Sequence, residues 1–537
     1  MTGWAIELQR RLTLYTAVAV LIIAGLLPLV AILAKSFLLD GTVTLSVYRK
    51  LFSDPTRYLS SFSHTISVAA ATTAIALVAG VTLGVLLVKT DMPLRRMFAM
   101  LLSLPLLMPP YIIALSWSDL LARDGLVAMA IPDRFVTALS ANLYGLSGCV
   151  WVMATALMPI VMILTMIALR AINPRLEEAA RLVADWPRTL RHISLPIVVP
   201  AVVLAALIVF LLAAGEVAVP MLLRYPVYPV ETLVQFAAFY DFGAAAASAV
   251  PLLTLAVIMV NLERCYLQEK THPLLARTPS KRALVVPLHG WRIPASFVVG
   301  VIGTLLVLLP MVALVQASLT PFGYGEAWRR TTDSLVSSVE YACAGATLLT
   351  AVGFLCAYLI ARRSLRWWSA VDQLALLLFT VPGAVIGIGM IALWNRPATA
   401  VLYSSGAMII FGYLAQYSAL TTRIIVATLA TIPTALEDAA QVVGAPWLAR
   451  LGCVVLPAAM PGIVAAWILA FIFCLRDTGA SMLVYPAGGD PLPVRIFALM
   501  ANGAPGLISA ACVILIAINL SMLGLLFALL HAFGPRE

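Results

Sequence analysis

The sequence predicts an all-α polytopic membrane protein built from two parallel six-helix repeats. Its 537 residues are 62% hydrophobic and only 11% charged, with a mean hydropathy of +1.02, whereas a soluble domain averages roughly 45–50% apolar and 25% charged residues. Twelve apolar stretches each approach the about 20 residues that cross a bilayer as a helix. Short sequence patterns of the first half also return, in order, in the second. The same composition excludes a soluble enzyme, a disordered chain and a nucleic-acid binder, because the polar residues are too few to cover a globule of this size.

The stretches fall at 13–34, 64–88, 97–121, 143–169, 195–215, 244–263, 294–317, 338–361, 371–394, 405–429, 457–475 and 507–532. The first, Leu14 to Leu33, is too long for a signal-peptide core and has no small-x-small cleavage site, so it reads as a retained helix. With the N-terminus in the cytoplasm, 22 of the 34 Lys and Arg lie inside and 12 outside. That excess puts both termini in the cytoplasm. The net charge of +10 is then a signal of sidedness, and no nucleic-acid partner is expected. The seven cysteines and five histidines are scattered singly with no CxxC pair, a pattern that gives neither a metal site nor a disulfide framework.

The repeat has six-helix spacing. Gly80 to Lys89 (GVTLGVLLVK) returns as Gly353 to Arg362 (GFLCAYLIAR), and Pro105 with Trp117 returns as Pro382 with Trp394. Leu176-Glu-Glu-Ala-Ala180 returns as Leu436-Glu-Asp-Ala-Ala440, Leu195-Pro196 as Leu456-Pro457, and Gly215-Glu216 as Arg476-Asp477. An even number of spans per repeat makes the halves parallel, related by a pseudo-twofold along the membrane normal. The chain therefore divides into a first half at 1–263, a polar cytoplasmic linker at 264–292, and a second half at 293–537. About 30 residues cannot bury a core, so the linker is not a domain.

Two loops stand out, at about 170–195 after the fourth span and about 430–456 after the tenth. Each opens a helix-forming stretch with a proline, Pro174 or Pro433, and places acids early, where they suit the N-terminal dipole. Gly444 ends the helix of the second copy, and a second short helix leads into the next span. Small alanines let another surface approach closely, and the acidic pairs offer partners to basic side chains. Such a paired feature suits docking of a cytoplasmic subunit through Glu177, Glu178, Ala179, Ala180 and Ala184 in one copy and Glu437, Asp438, Ala439, Ala440 and Gly444 in the other.

At these loops the chain resembles the permease subunits of ATP-binding cassette importers, whose pattern is Glu-Ala-Ala, three residues, Gly, nine residues, Ile-x-Leu-Pro. The second copy reads Asp438-Ala439-Ala440, Gly444, then Val454-Val-Leu456-Pro457, with the spacing intact. The first reads Glu178-Ala179-Ala180, has Ala184 in place of glycine, and reaches Ile193-Ser-Leu195-Pro196 one residue early; Pro187 could supply its turn. The resemblance covers essentially the whole chain. It is to fused twelve-span permeases of the ferric-iron type, with relatives for thiamine, phosphonates and polyamines, and it implies a type I importer permease fold in a bacterial inner membrane. It also implies two copies of an ATPase, one per loop, and a periplasmic or lipid-anchored binding protein. The chain itself is not expected to be an enzyme: its five lysines follow Ala, Arg, Val, Glu and Ser, so the Gly-Lys-[Ser/Thr] of a P-loop is missing, and ATP and Mg belong to the partner.

The route for substrate is expected on the pseudo-twofold axis, along spans interrupted by proline or glycine. The third and ninth spans qualify through Pro105, Pro109, Pro110 and Tyr111, and through Pro382 and Gly383. Glu216 and Asp477, about 20 residues beyond Pro196 and Pro457, arrive at the periplasmic end as candidates for an outer gate. No sequence cluster of Tyr, His, Asp and Glu forms an iron cage, and no resident metal is expected. The alternative of another class is an ion-coupled secondary transporter, which needs ionisable residues at mid-membrane.

Overall fold

A computed structural model describes residues 3–533 except 40–41, 52–54, 123–124, 129–130, 240, 268–283 and 321–322. Part of the linker and the C-terminal Arg536 thus lie outside the described residues. The described residues are all-α apart from a two-residue antiparallel pair, Leu38–Leu39 with Thr42–Val43, and an isolated bridge between Thr90 and Val286. Among the described residues ten helices are long and apolar enough to cross a membrane, and two helix pairs broken in the middle give up to two further spans.

In the first half the spans are Leu8–Ser36, Pro55–Lys89, the pair Arg95–Leu107 and Pro110–Leu120, Leu146–Ala171, Trp186–Ala214 and Phe242–Cys265. In the second they are His289–Ser318, Gly323–Ala361, the pair Trp368–Thr380 and Gly383–Trp394, Ala407–Leu429, Trp447–Leu475 and Pro505–Leu526. The same succession of long, broken and bulged helices occurs twice. Spans 2 and 8 run to 35 and 39 residues, well past a hydrocarbon core of about 30 Å at 1.5 Å per residue, and their polar first turns extend beyond the expected limits at 64 and 338.

Spans 1, 5, 7 and 11 each carry a π-bulge, at Ile22–Leu26, Leu190–Ser194, Thr304–Leu308 and Leu451–Val455. Each bulge directly precedes a Leu-Pro step: Leu27-Pro28, Leu195-Pro196, Leu309-Pro310 and Leu456-Pro457. Proline has no N–H to give the fourth residue back, and its ring crowds that carbonyl; a widened turn absorbs both defects without ending the helix. The short helix expected before span 11 is consequently the start of that span, and span 5 begins in the same way.

Spans 3 and 9 do not run straight. They turn by 104° and 105°, the first at Met108-Pro109 and the second at Val381-Pro382, where both residues are extended. The carbonyls released there are capped by side chains from other spans, as apolar surroundings require. Asn519 Nδ2 donates to Leu107 O at 3.0 Å, and Gln416 Nε2 donates to Phe379 O and Val381 O at 3.3 and 3.2 Å.

Within each half, span 2 packs on span 4 and span 8 on span 10 through glycines. A Cβ on Gly80 would lie 2.6 Å from Val161 Cβ, and Gly353 faces Thr421 in the same way. Between halves the first spans are exchanged: Gly389 of span 9 faces Pro28 O of span 1, and Gly303 of span 7 faces Leu101 of span 3. The far end of the linker is tied to the first half by Val286 N donating to Lys89 O at 2.7 Å and by an Asp91–Arg292 ion pair at 3.2 Å.

Candidate functional site: two loop helices and an axial cluster

The first loop helix, Pro174–Arg181, is capped by Asn173, whose Oδ1 accepts from Arg175 N at 3.1 Å. It holds Glu177 at its first turn, fully buried. Lys89, at the end of span 2, places Nζ 2.7 Å from each Glu177 oxygen, and Ser194 Oγ donates to Oε1 at 2.6 Å. The second loop helix, Thr434–Val442, repeats the device with different side chains. Arg362 Nε donates to Glu437 Oε1 at 2.8 Å, Tyr358 OH donates to Oε2 at 2.9 Å, and Trp447 Nε1 donates to Tyr358 OH at 3.3 Å.

Glu177 and Glu437 are therefore turned inward. A carboxylate consumed in a buried ion pair offers nothing to a partner, so of each acidic pair only Glu178 and Asp438 face outward, alongside exposed Ala179 and Ala439 and partly exposed Ala180, Ala184 and Ala440. The second helix ends on Gly444 at φ +81°, with Ala445 N donating back to Ala440 O at 3.0 Å; only glycine enters this left-handed conformation without strain. Ala184 needs no such conformation, because its helix stops sooner and Asp185 and Pro187 begin the next.

The tips of both helices expose what the motif alone does not draw attention to. Leu182 and Val183 are each 87% exposed, and Val442 and Val443 are 86% and 82% exposed. Two adjacent bare apolar residues thus stand at equivalent places on the two loops, outside the spans. Around them the loops differ. The first presents exposed Arg175, Arg181, Arg188 and Arg191, with Arg181 stacked on Trp186 at 5.4 Å. The second presents little charge beyond Asp438.

At the other end of spans 5 and 11, each half uses its acid to cap a short helix. Glu216 Oε1 accepts from Ala218 N at 3.0 Å. Asp477 Oδ2 accepts from Ser481 N and Ser481 Oγ at 3.0 and 2.6 Å, and its Oδ1 accepts from Tyr417 OH at 2.8 Å. The residue before each acid reaches the broken span of the opposite half. Arg476 donates to Leu106 O beside the first break, and a Cβ on Gly215 would lie 3.1 Å from Pro382 Cγ at the second. Glu216 and Asp477 both lie within electrostatic reach of Arg476, and Asp477 is buried. Tyr111 also crosses between halves, donating to Pro493 O at 3.3 Å, while Gly383 abuts Gly479 and Ala480 of its own half. Near that side, a cavity of about 890 Å³ opens between Asp119 and Gly125 of the first half and Gln316, Glu326 and Asn502 of the second.

Residues 350–533 match the family of binding-protein-dependent transport system inner membrane components. The matched segment contains spans 9 to 12 and the second loop helix, and the first half repeats its elements in the same order. The chain is 23% identical over 442 residues to the ferric transport system permease protein FbpB of Actinobacillus pleuropneumoniae, covering 78% of this chain and 64% of that protein. It is 23% identical over 420 residues to a putative ferric transport permease, FbpB 1, of Haemophilus influenzae, covering 73% and 65%. A spermidine/putrescine permease, PotC, of Haemophilus influenzae is 27% identical over 228 residues, 40% of this chain and 88% of that protein. The matches thus span less than two thirds of the length of the two ferric permeases.

Proposed function

We propose that this chain is the membrane permease of an ATP-binding cassette importer and that its cargo is ferric iron. The observation that carries the reading is the doubled loop helix, with its exposed apolar tip and a buried ion pair fixing it to span 2 or span 8. A helix held this way passes a push from a docked subunit into its own half and does not simply bend. Two ATPase copies would dock at Glu178, Ala179, Ala180 and Ala184 with Leu182-Val183, and at Asp438, Ala439, Ala440 and Gly444 with Val442-Val443. ATP and Mg would be bound by those subunits alone. Closure of the ATPases would swing the halves about the axial cluster, with Glu216, Arg476, Asp477 and the breaks at Pro105, Pro109, Pro110, Pro382 and Gly383 as the gate. The loop face, with its excess of arginine and both termini, would be cytoplasmic, and a periplasmic or lipid-anchored binding protein would deliver cargo to the opposite face.

Iron as cargo is supported by two ferric permeases that match across both halves, whereas the polyamine permease matches 228 residues. The deciding experiment is uptake into proteoliposomes holding the chain, its ATPases and its binding protein. ATP-dependent uptake of ferric iron, in preference to spermidine or 2-aminoethylphosphonate, is expected. Uptake driven by an ion gradient without ATP would overturn the reading in favour of a secondary transporter.

A further inference from the structure

The two halves handle their axial acids differently. In the first, backbone N–H groups of Ala218 and Val219 are the hydrogen-bond donors to Glu216. In the second, Asp477 belongs to a chain of four oxygen-bearing side chains: Tyr417 OH at 2.8 Å, Ser481 Oγ at 2.6 Å, and Tyr413 OH a further 3.5 Å from Ser481 Oγ. Asp477 is 5% exposed, Tyr413 1% and Tyr417 8%, and the two rings lie 6.3 Å apart. Gln416, on the same helix and 8% exposed, has an Oε1 with no hydrogen-bond partner.

The fold does not require these phenols. Gly80 faces Val161 where its repeat Gly353 faces Thr421, so Tyr413 and Tyr417, eight and four residues before Thr421, correspond to Met153 and Leu157. Both of those are buried apolar side chains. A carboxylate and backbone donors suffice to cap the short helix there, and the second half adds two buried hydroxyls to the same arrangement. Burying a hydroxyl is unfavourable unless it is hydrogen-bonded; Tyr417 OH donates directly to Asp477, and Tyr413 OH is linked to the same acid through Ser481 Oγ.

We propose that Tyr417, Asp477 and Tyr413 form a transit site for a ferric ion, binding the cargo briefly as it passes from the binding protein through the axis. This rests on the importer reading above and deepens it. Phenolate and carboxylate oxygens are hard, anionic ligands that suit a small trivalent cation. Loading forms Fe–O bonds to Asp477 and to each participating tyrosine as the same number of bonds from the ion to its water ligands break and the Tyr417–Asp477 hydrogen bond opens; each phenol gives up its proton to a released water. The iron stays ferric and no electron moves. Release reverses these steps. Arg476 beside the site weakens it by repulsion, which a conducting site requires, since cargo must leave as readily as it enters. Among the described residues no three His, Cys, Asp or Glu side chains form a metal site; the tyrosines are what make this cluster one.

The test is a titration of the complete transporter, without binding protein, with ferric nitrilotriacetate, following the visible phenolate-to-iron charge-transfer band. One saturable band per chain is expected in the wild type. Tyr417→Phe, which removes a single oxygen and leaves the ring packing, should abolish most of it and lower ferric uptake by at least the about tenfold that loss of even an outer-shell partner costs a metal site. Tyr413→Phe should reduce the band, and the ATPase should still co-purify with both variants. If the wild type takes up ferric iron but shows no band, or if the Tyr413→Phe/Tyr417→Phe double variant keeps the band or wild-type uptake, the site is overturned and the importer reading stands. If the wild type takes up no ferric iron, both fall.

Discussion

Breaking the Lys89–Glu177 pair should release the first loop helix from its half. Lys89→Met leaves the Glu177 carboxylate with Ser194 as its remaining side-chain partner. Both side chains are 1% exposed and the ammonium sits 2.7 Å from both oxygens, so the full cost of an uncompensated buried charge applies, about 3–5 kcal/mol. Replacing both partners by apolar residues, as in Lys89→Met/Glu177→Leu, is close to neutral for such pairs. At tenfold per 1.4 kcal/mol, the single variant should speed amide hydrogen exchange in Pro174–Arg181 by roughly a hundredfold to a few thousandfold, and the double variant should restore most of the protection. The corresponding lesion at Arg362 should cost less, about 1–3 kcal/mol, because that pair is 15% and 11% exposed and Tyr358 still holds Glu437. Equal exchange in the wild type, the single variant and the double variant would refute the claim that the buried pair fixes the helix.

Gly444→Ala should lower stability by about 1–2 kcal/mol because it forces a Cβ into left-handed backbone, whereas Ala184→Gly should cost about 1 kcal/mol or less; thermal unfolding in detergent compares them. Gln416→Leu and Asn519→Leu should each cost about 1–3 kcal/mol by leaving break carbonyls unpaired, measured by denaturant titration, and unchanged midpoints would show that the breaks need no capping. With one loop disabled at a time, ATPase affinity for the arginine-rich first loop should fall several-fold more steeply with salt than affinity for the second; parallel salt dependences would contradict that difference.

The apolar stretches were legible because length alone marks a crossing helix, and the repeat was legible because its patterns recur in order. The sharp turns of spans 3 and 9 were only half legible. Pro109-Pro110 and Pro382-Gly383 signal an interruption, but the side chains that donate to the freed carbonyls, Asn519 and Gln416, lie more than 400 and about 35 residues away. Likewise the loop motif revealed acids but not that Glu177 and Glu437 point inward. A signal was present: Lys89 and Arg362 are repeat equivalents, as are the two acids, so a basic residue and an acid recur together. The tyrosine cluster had no such trace, since Tyr413 and Tyr417 share a helix face while Asp477 lies 60 residues on, and only the packing of span 10 against the end of span 11 unites them.

The central claim is that two external subunits drive this chain through the loop tips. It is tested most directly by Leu182→Asp/Val183→Asp/Val442→Asp/Val443→Asp, alongside Glu178→Lys/Asp438→Lys, read by co-purification of the ATPase and by binding-protein-stimulated ATP hydrolysis. The tip side chains are more than 80% exposed, so the melting temperature should hold while ATPase capture and stimulated hydrolysis are lost. Full assembly and full uptake in those variants would contradict the account.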